Sequence, residues 1–313
     1  MARAVVFPGQ GSQAVGMGRE LAEAFPAARH TFEEVDEALR QRLSRLMFEG
    51  PESDLTLTEN AQPALMAASL AVLRVLVQEG GFDLARHAAF VAGHSLGEYS
   101  ALCAAGTFTI ADAARLLKRR GQAMQRAVPV GAGTMAALLG LELEAAREVA
   151  EAAREGEVCD VANDNGPGQV VVSGSTAAVE RALKIAAERG ARRAIMLPVS
   201  APFHCAMMEP AAREMEEALA AVSMAAPEVP VIANVTAEPV DDPETIRHLL
   251  VRQVTGLVRW RESVLYMKRE GVDTVVELGA GRVLAGLVKR IDREIAVASV
   301  GTPAEIETFL KTL

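Results

Sequence analysis

The five residues Gly93-His94-Ser95-Leu96-Gly97 constrain this chain more than any other segment. They follow a short apolar run, His87 to Ala92, and precede a segment with helical spacing, Leu96 to Ala105. Strand, sharp turn and helix is the setting in which G-x-S-x-G forms a nucleophile elbow, with the serine oxygen raised above the end of a sheet. Only residues without a bulky side chain fit at Gly93 and Gly97, where strand and helix backbones approach each other. A bare match to five residues is common by chance. The flanking strand and helix make Ser95 the expected nucleophile.

The rest of the chain extends that pattern. Ala4 to Phe7 reads as a buried strand ending at Pro8 and the turn Gly9-Gln10-Gly11-Ser12-Gln13, with helical spacing through Leu39. Ala61 to Val77 places Leu65, Ala68, Val72, Leu73 and Leu76 on one face of a long core helix, and Ile110 to Arg126 reads as another helix. Strand, helices, strand, helices favours a parallel sheet with helices covering it. After Pro129 the periods shorten: strand Thr134 to Leu139, helix Leu143 to Arg154, strands Val158 to Ala162 and Val170 to Ser173, helix Ala177 to Glu188, strand Arg193 to Leu197. That β-α-β-β-α-β order is the ferredoxin-like one. It predicts an α/β protein with a large parallel-sheet domain of residues 1–127 and 199–313, split in sequence by an insert of 128–198. The large domain resumes with helices at Met207 to Val222, Pro243 to Gln253, Glu262 to Glu270 and Val283 to Arg290, and strands near Val231, Asp273 to Glu277 and Ile295 to Ser299.

A serine nucleophile needs a base and a site for negative charge. The Leu96 N–H, at the start of the elbow helix, points toward any oxyanion formed on an acyl group at Ser95. The turn after the first strand would lie beside the elbow in a parallel sheet, which makes the Gln10 amide the expected second donor. Five histidines are available. His94 adjoins Ser95 and points away across the elbow, His30 and His248 sit in helical pattern, and His87 sits at a strand start. His204 follows Ser200-Ala-Pro-Phe in a non-helical turn, a loop position suited to catalysis, and comes after the serine as in hydrolases with this elbow. No carboxylate stands out as a third triad member, so backbone carbonyls are the alternative means of orienting the base. The pattern Gly9-x-Gly11-x-x-Ala14 is not read as a dinucleotide fingerprint, because the acidic ribose partner should end a second strand and Thr31 to Arg40 is helical. Gly279-x-Gly281 leaves too little chain for a nucleotide domain.

Arg120 is the other unusual position. Ala113, Leu117, Arg120 and Met124 recur at spacings of four, three and four, so this arginine faces the core while Arg115, Lys118 and Arg119 reach solvent. It either makes an internal ion pair or binds a ligand anion, and a guanidinium fork matches a carboxylate bidentately.

Together these segments closely resemble the malonyl-CoA:acyl carrier protein transacylase family. The likeness runs through Phe7-Pro-Gly-Gln-Gly-Ser-Gln13, Gly93-His-Ser-Leu-Gly-Glu-Tyr-Ser100, Arg120-Gly-x-x-Met124-Gln, Asn163-Asp-Asn-Gly-Pro-Gly-Gln169, Pro198-Val-Ser-Ala-Pro-Phe-His204 and Gln253 before the Trp260 helix. The resemblance implies a hydrolase-like domain with a ferredoxin-like insert, Ser95 as acyl acceptor, His204 as base, and Gln253 as the group orienting it. It implies Gln10 and Leu96 as the oxyanion hole, and a substrate site of Arg120, Met124, Phe203 and Asn163, with Arg120 clamping the malonyl carboxylate. Phe203 stands where some members carry serine. In related polyketide acyltransferases a phenylalanine there accompanies malonyl rather than methylmalonyl selection.

A net charge of −9 and 4% aromatic residues argue against a nucleic-acid partner. An acidic protein partner such as acyl carrier protein would need a local basic patch, and Arg189, Arg192 and Arg193, or Lys289 and Arg290, are the candidates. No stretch approaches the roughly 20 uncharged apolar residues of a membrane span, and the opening residues run into a strand without a cleavable signal. A cytoplasmic protein is expected. Cys103, Cys159 and Cys205 lack metal or disulfide spacing and read as small buried residues. No cofactor is expected beyond the coenzyme A thioester as substrate. The competing functions are a serine hydrolase of the same architecture and a non-enzymatic scaffold that binds carrier protein.

Overall fold

The structure is a computed structural model and describes residues 2–313. Its strands are β1 (Ala2–Phe7), β2 (Phe90–Gly93), β3 (Gly133–Leu139), β4 (Cys159–Gly166), β5 (Gln169–Ser175), β6 (Arg193–Met196), β7 (Val231–Ile232), β8 (Pro239–Val240), β9 (Val272–Leu278) and β10 (Ala296–Val300). One sheet has the order β10-β9-β1-β2-β7-β8 and is parallel except where β8 pairs with β7. The other, β4-β5-β3-β6, is antiparallel throughout, which is the ferredoxin-like strand order for a βαββαβ unit.

The first strand shows why the large sheet is central. Its side chains alternate between two apolar layers, Val5 and Phe7 in one and Ala4 and Val6 in the other. Such a strand is buried on both faces, so its sequence reads as a continuous apolar run. Helices Thr58–Gly80, Leu96–Ala104 and Ile110–Ala127 cover the first layer, and helices Trp260–Arg269 and Val283–Ile291 the second. In the small sheet, Ala136, Leu138, Val170 and Val172 face the insert's own two helices, while Met135, Ala137, Ala162 and Val171 face the opposite way with Leu197, Val199 and Phe203.

Helix Thr58–Gly80 is long and apolar enough to cross a membrane by length and composition, although Glu59 and Arg74 bound its uncharged run well short of a full span, as the sequence reading has it. It serves as the core helix of the large domain, with 89% of its apolar window buried against other elements. One expectation needs correction: His87 closes a one-turn helix, Leu84–His87, and is not at a strand start, since the Asp83 cap and the ring's contact with Asp83 hold that turn before β2 begins. In addition, β4 runs four residues beyond the expected Ala162, to Gly166. The polar Asn163 and Asp164 continue pairing with β5, and Asp164 N–H donates to Val258 O at 3.0 Å, tying the insert to the large domain.

The register Phe7↔Gly93 sets the C-terminal ends of β1 and β2 side by side, so the turn bearing Gln10 and the elbow emerge together. A Cβ on Gly93 would collide with Gly97 O, and a Cβ on Gly97 with Phe7 O. Neither clash involves a side chain that can swing away. Gly97→Ala is therefore expected to destabilise the fold by ~3 kcal/mol or more, the upper range for single substitutions, as read by reversible chemical denaturation. Stability equal to that of the unaltered protein would show that the strand and helix can part without loss.

Candidate active site

Ser95 occupies a positive-φ backbone conformation outside the common regions, φ 53° and ψ −109°. Non-glycine residues avoid this region unless their surroundings hold them there. Here the Asn234 side chain does the holding. Ser95 N–H donates to Asn234 Oδ1 at 2.8 Å, and Asn234 Nδ2 donates to Gly93 O at 2.7 Å. The elbow's polar backbone groups are thus satisfied, and the serine oxygen projects into a cleft of about 560 Å³ between the two sheets' domains.

Ser95 Oγ lies 2.7 Å from His204 Nε2, and His204 Nδ1 lies 2.8 Å from the Gln253 main-chain carbonyl. A carbonyl only accepts, so Nδ1 carries the proton and Nε2 presents its lone pair to the serine hydroxyl. Gln253 therefore reaches His204 through its backbone. Its side chain works elsewhere: Nε2 donates to Ser95 O at 2.9 Å and to Glu98 Oε2 at 2.8 Å, while Oε1 accepts from Arg120 Nη2 at 2.8 Å. Burial is the main cause that pushes the His204 ring down to about 3, the positive Arg120 adds to it, and the Gln253 carbonyl opposes both. The ring is a neutral, weak base.

Arg120 is 1% exposed. Its Nη1 donates to Gln62 Oε1 at 2.7 Å and its Nη2 also donates to Ser95 Oγ at 3.1 Å, with the guanidinium over the Tyr99 ring. No carboxylate pairs directly with it among the described residues, and Nε has no acceptor. The internal ion pair weighed as an alternative is absent, and the guanidinium keeps donors for an anion beside the nucleophile. Burial lowers its pKa, with Tyr99 and Glu98 opposing the shift.

Gln10, Leu96, Met124, Asn163 and Phe203 line the same cleft as Ser95, Arg120 and His204. Gln10 is fixed by Thr58 Oγ1, which donates to its Oε1 at 2.8 Å, and neither the Gln10 nor the Leu96 amide has a protein acceptor among the described residues. Met135, Val171 and Leu197 give the insert's side of the cleft an apolar part, beside the polar Asn163, Asn165 and Gln169. His94 also lines the cleft, its Nε2 2.8 Å from Asn165 Oδ1 and not directed at Ser95. The sequence reading missed Gln62, Glu98 and Asn234. Of these, Glu98 carries the one available signal, a charge in the otherwise uncharged elbow helix, which is buried nearly throughout.

The arrangement combines a hydrogen-bonded serine and histidine, two free amides, and a buried cation. It suits transfer of an acyl group that carries its own anion. Residues 4–304 match the family model described as acyl transferase domain. The malonyl CoA-acyl carrier protein transacylase of Bacillus subtilis strain 168 is 46% identical over 311 residues, covering 99% of this chain and 96% of the relative. The crystal structure of acyl-carrier-protein-S-malonyltransferase from Bartonella henselae superposes with a TM-score of 0.97 at 56% identity, covering 100% of this chain and 99% of that one. A malonyl-transacylase solved in complex with its type II PKS acyl-carrier protein gives 0.96 at 43% identity over the whole of both chains.

A depressed histidine pKa has two consequences of known sign. The folded protein binds fewer protons than the unfolded chain between about pH 3 and 6.5, so His204 contributes stability above that window that is lost as pH falls through it. In catalysis the base stays neutral well below the ordinary histidine range. The acid limb of kcat/KM for acylation of Ser95 should lie below about pH 5. A limb centred at the usual histidine value that persists in Glu98→Gln would mean that the ring is solvated in the working enzyme.

Proposed function

The chain belongs to the acyl transferase family, and from that premise we propose that it transfers a malonyl group from malonyl-CoA to the phosphopantetheine thiol of an acyl carrier protein through a Ser95 acyl-enzyme. The observation that carries this reading is Arg120, a buried cation without a paired carboxylate among the described residues, 3.1 Å from Ser95 Oγ. A malonyl thioester has an electrophilic carbonyl and a carboxylate one methylene away, and so satisfies both residues at once.

Ser95 Oγ attacks the thioester carbon while its proton passes to His204 Nε2, and the oxyanion is received by the Leu96 and Gln10 amides. Collapse breaks the carbon–sulfur bond, and the imidazolium returns the proton to the departing coenzyme A sulfur. The carrier's thiol then enters by the reverse sequence and leaves as the malonyl thioester. Phe203 and Met124 narrow the cleft beside the acyl group, and Asn163 lines it from β4. The steps as written use the coenzyme A thioester, the carrier's thiol and the side chains and amides of the chain.

An acidic carrier has basic side chains to meet at the cleft's mouth. Gln169, which lines the cleft, sits on the β4–β5 hairpin, where Arg290 packs near Gly166 and Arg192 lies against Gly140 next to Gly168. Arg192, Arg193, Lys289 and Arg290 are exposed and make no ion pair among the described residues. Arg189 is paired with Glu148. The malonylated carrier would supply fatty acid synthesis in the cytoplasm, a setting compatible with three free, buried cysteines.

Incubation with labelled malonyl-CoA should give a malonyl adduct on the intact protein that passes to added carrier protein, and Ser95→Ala should abolish the adduct while leaving the fold unchanged. Release of free malonate alone would indicate a hydrolase, and no labelling a scaffold. Arg120→Ala removes the charge-assisted contact to the carboxylate and should shift the malonyl-to-acetyl ratio of kcat/KM by about two or more orders of magnitude against malonyl. An unchanged ratio in a folded variant would show that Arg120 does not read the substrate.

A further inference from the structure

Glu98 lies one helical turn after the nucleophile and is 2% exposed, with Oε2 accepting from Gln253 Nε2 at 2.8 Å and from Asn234 N–H at 3.1 Å. None of the steps above uses it. A carboxylate this buried needs a reason, because leaving it ionised away from water is costly unless it is paired and hydrogen-bonded. It does not touch the guanidinium of Arg120. The Gln253 carboxamide stands between them, with Oε1 toward Arg120 and Nε2 toward Glu98.

That amide has two orientations of nearly equal shape, and its neighbours choose one. An ionised carboxylate only accepts and a guanidinium only donates, so the nitrogen must face Glu98 and the oxygen must face Arg120. The reverse orientation would set an amide N–H₂ against the guanidinium and an oxygen against the carboxylate. We infer that Glu98 is a positioning residue for the acyl-carboxylate site, acting through the Gln253 amide to hold the Arg120 Nη2 edge against Ser95 Oγ and keep its remaining donors open to the substrate anion. A carboxylate in direct contact with Arg120 would occupy the donors that the substrate needs. Placing the acceptor one amide away fixes the orientation of Gln253 without blocking the site. Burial holds the Glu98 carboxyl up at about 7, and the hydrogen bonds from Gln253 and Asn234, with the charge on Arg120, oppose that shift.

The inference rests on the malonyl-transfer reading, so wild-type malonyl and acetyl transfer are measured first. Failure of the wild type to transfer malonyl would overturn that reading, and this inference with it. With a competent wild type, Glu98→Ala should lower kcat/KM for malonyl-CoA about tenfold or more, chiefly through KM, while the acetyl-CoA value changes less than about threefold. Glu98→Gln restores an acceptor for Gln253 Nε2 and should recover most of the loss. In the Arg120→Ala background neither substitution should change the malonyl-to-acetyl ratio further, because the group they act through is gone. If the alanine variant does not fold, Glu98→Asp takes its place, since it draws the carboxylate back from Gln253 by one methylene, and the same split is expected. Equal losses on both substrates, an unaltered malonyl KM, or an effect that persists without Arg120 would each reduce Glu98 to a structural group and overturn the inference.

Discussion

The Asn234 carboxamide closes across the elbow from Ser95 N–H to Gly93 O, and the active site hangs on that closure. A serine at φ 53° stores strain of roughly 1–3 kcal/mol, which persists only where neighbouring structure fixes it from several sides. Two neutral hydrogen bonds, each worth about 1 kcal/mol net, are of the right size to offset it. The glycine contacts add a steric limit, since Gly97 packs on the β1 carbonyl end and cannot retreat. From this one backbone geometry follow the direction of the serine oxygen, the free Leu96 amide, and the 2.7 Å approach to His204.

The electrostatic design depends on keeping two buried charges apart. Arg120 and Glu98 are each almost fully buried, and removing either from water costs several kcal/mol. Direct contact would recover most of that cost and leave the cation unable to bind anything else. The Gln253 amide, Gln62 and the Tyr99 ring instead distribute the compensation over neutral polar groups. The same Gln253 supplies, from its main chain, the carbonyl that orients His204. The contacts of His204, Arg120 and Ser95 are therefore built around one residue.

The readable parts of this protein were those written in periodicity or in local turn chemistry. The elbow needs small residues at fixed positions, Arg120 interrupts an apolar helical stripe, and the insert alternates short strands with amphipathic helices. All three signals survive in a single sequence. What carries no such signal stayed hidden. Orientation of His204 by a main-chain carbonyl was expected from the want of a triad carboxylate, but residue identity could not say which carbonyl, because every residue has one, and only the resemblance pointed to Gln253. Asn234 lies in a non-periodic segment after a two-residue strand, where nothing marks it as facing the elbow 139 positions away. The polar end of β4 read as a loop because Asn163 and Asp164 are not apolar, although their backbone pairs with both β5 and Val258. Glu98 lies on a helix buried on every side, so spacing does not set it apart as it does Arg120, and only its charge in a short apolar segment marks it.

The lack of a triad carboxylate is consistent with transfer rather than hydrolysis on chemical grounds. A carbonyl partner fixes the tautomer of His204 but stabilises the imidazolium less than a carboxylate does, and the ring's pKa near 3 makes it a weak base. The acceptor in a thiol-to-thiol exchange tolerates this. A thiol has a pKa of about 8.5, so a useful fraction is ionised near neutrality and the thiolate is a strong nucleophile with little help. Water, with a pKa of about 15.7, must lose its proton as it attacks and depends far more on the strength of the base. The donor side is equally undemanding, because a thioester expels a thiolate that needs protonation less than an alkoxide or amine would. In the proposed transfer a carrier thiol therefore needs His204 less than water would, while Ser95, as an alcohol, needs it in full and has its oxygen hydrogen-bonded by Arg120 as well. On this account an acyl group on Ser95 would pass to a thiol faster than to water.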